Sequence, residues 1–108
     1  MEQMKSTPMI QIIEEETAPL GRYGHMRDEY LRTHDNLNRT MMVIHGELEQ
    51  HLQDVDQRAW ERMDSLMESM TAHNPPPDKE QDYLGHVAHL NMLQAMAEEI
   101  VVEELIAV

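Results

Sequence analysis

Seven histidines in 108 residues make a metal site the first chemistry to test. A di-iron helical bundle needs Glu-x-x-His on two helices, so that carboxylate and imidazole face one metal pair. The residues three places before the histidines are Arg22, Leu31, Met42, Leu48, Met70, Tyr83 and His86, and none is glutamate. A narrower arrangement remains. His86 and His89 stand at i, i+3, with Asp82 one turn before His86, which puts two imidazoles and a carboxylate within reach of one ion such as zinc. Helical His pairs of this kind commonly arise by chance and hold metal weakly. The expectation is no metal and no other cofactor, with the remaining histidines solvated or capping.

Nucleophilic catalysis has little to work with. Cysteine is absent, and Ser6, Ser65 and Ser69 lie outside any nucleophile signature. Gly21-Arg22-Tyr23-Gly24 places two glycines close together, but no Lys-Ser/Thr follows to cradle a phosphate. The carboxylates are numerous and fall on helix exteriors, where water keeps them ionised and unsuited to proton transfer. The sequence predicts a protein that is not an enzyme.

Charge is the strongest global feature, at a net −13. Regularly spaced carboxylates on a stiff helical pair can imitate the phosphates of a duplex and occupy a basic channel. Asp54, Asp56, Glu61, Asp64 and Glu68 are the first residues for such a face, followed by Glu98, Glu99, Glu103 and Glu104. The plainer reading of the same residues is a solvated face that keeps the protein soluble. Half of the eight basic residues, Arg22, Arg27, Arg32 and Arg39, lie in the short segment 21–45. They are the alternative contacts, for nucleic acid. Elsewhere the acidic surface repels a phosphate backbone.

The elements that must position these residues are helical. Residues 1–19 read as an extended arm, with the apolar run Pro8–Ile13 as a strand or extended segment that needs something to pack on. Residues 20–108 read as one helical domain. A first helix is predicted from Leu20 to Thr33, with Tyr23, Met26, Tyr30 and Leu31 on one face. Asp35 is the expected cap of a second helix, broken at Gly46, and the His34-Asp35-Asn36 junction has the look of a helix-turn-helix. The third helix is predicted from Glu47 to His73. Leu48, Leu52, Val55, Ala59, Met63, Leu66 and Met70 form its stripe, and Asn74-Pro75-Pro76-Pro77 ends it. Asp78 is the expected cap of a fourth helix reaching the C-terminus. The two long helices should form an antiparallel hairpin with the two shorter ones packed across it. Eleven methionines and no phenylalanine predict a soft core rather than a Met-lined groove. No apolar run approaches the roughly 20 residues of a membrane span, and no signal peptide is visible, so the expected location is cytoplasmic.

The residues also carry a family likeness. Leu20-Gly21-Arg22-Tyr23-Gly24, Met26-Arg27, Tyr30-Leu31 and His34 resemble the opening of the transposon-encoded TnpV family. The likeness continues through Leu48, His51-Leu52, Asp56, Ala59 and Glu61-Arg62-Met63, then Ala97-Glu98-Glu99-Ile100-Val101 and Glu104-Leu105-Ile106. It covers roughly residues 20–108, with the first 19 diverging. The resemblance implies a mobile element as the gene's setting and supplies no catalytic residues. Where the family tends to carry basic residues, this chain has Glu47, Gln94 and Met96.

Taken together, the expected activity is non-enzymatic. The chain should bind and inhibit a nucleic-acid-processing protein, such as a nuclease, through a basic surface on that protein, with anti-CRISPR-like mimicry of nucleic acid as the sharpest form. A homodimer is compatible with this. The alternative is a transposon accessory factor that contacts DNA through the arginine-bearing N-terminal helices.

Overall fold

A computed structural model describes residues 20–108; the arm proposed for residues 1–19, with its apolar run, lies outside the described residues. Four α-helices follow in order: α1 Arg22–His34, α2 Asn36–Ile44, α3 Leu48–His73 and α4 Tyr83–Val101. A π-helical turn, Val102–Ile106, closes the chain. The predicted all-α hairpin is present, with α3 packed on α4 and α1 laid against α3.

The apolar stripe of α3 explains the packing. Leu52, Val55, Ala59 and Met63 recur at three- and four-residue intervals and are buried. Val55, Ala59 and Met63 form one cluster with Ala97 and Val101 from α4, Tyr23 from α1 and Ile106 from the π turn. Ala59 and Ala97 are wholly buried, and their small side chains let α3 and α4 approach closely. Met26, Met67 and Met70 fill in around Met63 at the margin of this cluster. The methionines at the centre thus act as flexible filler, while Met41, Met92 and Met96 stay at the surface.

Element ends differ in places from the sequence reading. The α2 terminus is a Schellman motif: Gly46 adopts φ 70°, its N–H donates to Val43 O at 3.1 Å, and Glu47 N–H donates to Met42 O at 2.8 Å. Asp35 occupies the position before α2, but its side chain makes no capping hydrogen bond. Asp82, not Asp78, caps α4, its carboxylate accepting from Gly85 N–H at 2.9 Å. Asp78 instead holds a turn one step earlier, accepting from Glu80 N–H at 2.9 Å and, through its carbonyl, from Asp82 N–H at 2.8 Å. Residues 79–81 are taken up by this turn, with Gln81 N–H also donating to Asp78 O at 3.1 Å, which moves the start of α4 downstream. The last regular α-helical residue is Val101. Beyond it the backbone widens into the π turn, with Ala107 N–H donating to Val102 O at 2.8 Å.

Candidate functional site

The arginines of α1 and α2 are engaged within the fold. Arg22 makes a two-point contact with Glu98 on α4, at 3.1 and 2.7 Å, and Tyr23 donates its hydroxyl to the same carboxylate at 3.0 Å. The Arg22 guanidinium, with the Tyr23 hydroxyl helping, holds the Glu98 carboxyl below the ordinary range. Burial, reinforced by the neighbouring Glu98 charge, pushes the Tyr23 phenol up.

Arg27 is buried, at 7% exposure. It donates to Ile106 O at 2.7 Å and to the Val108 main-chain oxygen at 2.9 Å, and its Nε donates to His51 Nε2 at 3.2 Å. The His51 imidazole therefore accepts, and burial beside Arg27 and Arg58 pushes its pKa down. Arg27 pins the end of the π turn to α1. Asp28 serves two further arginines, Arg32 at 3.1 Å and Arg39 at 2.8 Å, and so ties α2 to α1. All four residues of the alternative DNA-contacting set thus have intramolecular partners. The α1–α2 junction itself is a single residue, Asp35.

The nine carboxylates of the acidic set divide into two groups. Asp56 reaches from α3 to the start of α1, where its Oδ1 accepts from Gly24 N–H at 2.9 Å. A carboxylate there also meets the positive end of the helix dipole. Glu98 is held by Arg22 and Tyr23, and Glu104 by Arg62 at 3.0 Å. These three secure the fold. The other six remain on the outside. Asp54, Glu61, Asp64 and Glu68 are exposed and share one stripe of α3, opposite its buried face. Gln50 and Gln57 brace the first two, donating to Asp54 at 2.8 Å and to Glu61 at 3.2 Å. Successive members at seven-residue intervals, Asp54, Glu61 and Glu68, lie about 10 Å apart along the axis. Glu99 and Glu103 are exposed on α4 and the π turn.

The weak metal set is held by the interhelical loop. His86 Nδ1 lies 2.8 Å from Pro77 O, and His89 Nε2 lies 2.7 Å from Asn74 O. Each imidazole donates to a carbonyl through the nitrogen it would turn toward the loop, and Asp82 caps α4. Among the described residues, no group of three or more His, Asp or Glu side chains is arranged to hold a metal ion. The same residues fasten the proline loop across the top of the hairpin. No described helix is long and apolar enough to cross a membrane.

The family described as transposon-encoded protein TnpV matches residues 2–106. The chain belongs to the TnpV family. The match takes in nearly the whole chain, including the N-terminal segment that the residue-by-residue likeness left out. No curated protein and no solved structure matches it. Several residues that carry the TnpV likeness now have physical roles in the fold. Gly24 and Asp56 form the α1–α3 joint, Tyr23 and Glu98 the α1–α4 joint, and Arg27, His51 and Ile106 the clamp on the π turn. In this TnpV chain the sequence reading missed Arg27 as an internal group. The signal was present: Arg27 lies four residues after Tyr23 and four before Leu31, on the same buried stripe.

Proposed function

We infer that this TnpV protein is a non-enzymatic binding protein whose acidic α3 face seats a basic surface of a nucleic-acid-processing protein. A DNA-processing enzyme of the same transposon is the natural partner by chemistry. The observation that carries the reading is the unequal use of charge. Asp54, Glu61, Asp64 and Glu68 point outward with no cation paired to them among the described residues. Arg22, Arg27, Arg32 and Arg39 all have partners within the chain, Arg27 in a buried site and Arg22 and Arg32 at the surface.

Two features support mimicry of nucleic acid as the mode. The stripe sits on one continuous 26-residue helix, so its charges are held in a fixed order along one side. Its seven-residue spacing, about 10 Å, is about three axial rises of one strand of a duplex. Such a surface would steer rapid, salt-sensitive association with a cationic channel. Inhibition follows from occupancy of that channel and needs no catalytic group.

Calorimetric titration into the purified DNA-processing enzyme of the element tests this. Binding should weaken as salt rises and should be lost in the combined variant Asp54→Asn, Glu61→Gln, Asp64→Asn, Glu68→Gln. Binding that survives those four changes would refute the assignment.

A further inference from the structure

Arg58 is the one arginine of six without a hydrogen bond or ion pair among the described residues. It lines a cavity of about 190 Å³ between α1, α3 and the π turn, together with Arg27, His51 and Glu104. Arg27 is more than nine-tenths buried, yet no Asp or Glu among the described residues pairs with it. Its Nε and Nη1 donate to an imidazole and two main-chain oxygens, while Nη2 has no hydrogen-bond partner among the described residues. Buried donors are rarely left unmatched. His51 adds another free donor. Its Nε2 accepts from Arg27, so the neutral ring carries its proton on Nδ1, and that N–H has no partner among the described residues either.

We propose that this cavity binds a small oxyanion of the phosphate type, held by the Arg27 and Arg58 guanidinium groups and the His51 Nδ1–H. Guanidinium donors match phosphate oxygens in both charge and geometry. The acids nearby are already engaged. Glu104 is turned to Arg62, at 3.0 and 3.3 Å, and Asp54, one turn before Arg58, accepts from Gln50 at 2.8 Å. Counting a carboxylate at Val108 against Arg27 still leaves Arg58 unmatched. Cavity size and net charge together set the class of ligand. Pockets for organic ligands begin at about 300 Å³, so this one takes an ion or a single small group. The net charge of −13 repels a long polyanion along its whole length, whereas one phosphate meets only the local field. None of the four outward carboxylates of the α3 stripe lines the cavity, so the two sites are separate.

Titration of the full chain with inorganic phosphate, followed by NMR of the Arg58 Nε–H and the His51 ring at about 0.05 M salt, tests this. Both signals should shift together and saturate with a Kd of about 1 mM. Sodium chloride at matched ionic strength should not reproduce the shifts. Arg58→Gln removes a guanidinium that holds nothing in the fold, so the helices should persist, as circular dichroism checks. Read from the His51 ring, its phosphate Kd should rise about 10-fold or more, the equivalent of one hydrogen bond between charged groups. Arg32→Gln, on α1 and outside the cavity, should leave the Kd unchanged. Shifts that stay linear to about 50 mM, far above that Kd, would mark an adventitious ion only and overturn the proposal. So would a Kd that Arg58→Gln leaves in place, or one that Arg32→Gln raises equally.

Discussion

Asp56 on α3 accepts a hydrogen bond from Gly24 N–H on α1 at 2.9 Å, so one helix supplies the capping group of another. The joint depends on two glycines. A Cβ at Gly21 would fall 2.5 Å from an Asp56 carboxylate oxygen, and one at Gly24 would fall 3.1 Å from Leu52 O. Removing the carboxylate with Asp56→Ala should cost about 1–2 kcal/mol of stability, the upper range for loss of a helix cap. Denaturant titration measures it.

Gly24→Ala opposes two effects at the same joint. Alanine is favoured over glycine within a helix by about 1 kcal/mol. Its methyl, however, presses on the Leu52 carbonyl, a backbone atom that cannot swing aside as a side chain can. Overpacking of this kind costs about 1–3 kcal/mol, so the net effect should be destabilising. A raised Tm would contradict the close approach of α1 and α3.

Arg27 ties the π turn to the bundle through two main-chain oxygens. Arg27→Met keeps most of the side-chain bulk and leaves those oxygens without their donor. The expected loss is about 2–3 kcal/mol, typical of hydrogen bonds to a charged group in a buried site. Amide exchange of residues 102–106 should accelerate more than that of α3, which separates loosening of this turn from global unfolding.

His51 sets an acid limit on stability. Its pKa is lowered in the fold, chiefly by burial and then by Arg27 and Arg58, so the unfolded chain binds the proton more readily. The neutral imidazole's contribution is complete above the usual 6.5 and is lost as pH falls through the folded value. Glu98, also lowered, adds a second loss below its usual 4.5. Unfolding free energy measured against pH should therefore begin to fall below about pH 6.5, and His51→Gln should abolish that first decline while leaving the second.

The architecture was legible because periodicity records it. The α3 stripe, the proline stop after Asn74 and the Gly46 break all act through local backbone rules, and each element stands within a few residues of its expected place. Partners brought together by tertiary packing were not legible. Asp56, Glu98 and Glu104 look like Asp54, Glu61 and Asp64 in the sequence. Only the crossing of α1 over α3, and of the π turn beside Arg62, distinguishes carboxylates that hold the fold from those that face outward. The arginines of α1 and α2 carry the same lesson: residue type suggested phosphate contacts, while helix packing gave Arg22, Arg27 and Arg39 partners and the preceding turn of α1 gave Arg32 its own. The Asp78 cap was misplaced because two aspartates four residues apart both suit a helix start, and the turn after the prolines selects the later one.

Competition for DNA tests the central claim most directly. Labelled duplex is first bound to the element's DNA-processing enzyme at about 0.15 M salt, then titrated with this protein while anisotropy is followed. Displacement by an acidic α3 face predicts a fall to the value of free duplex, and no fall with the four-residue neutralised variant. An anisotropy that holds steady, or rises because the protein itself joins the DNA, would contradict the account.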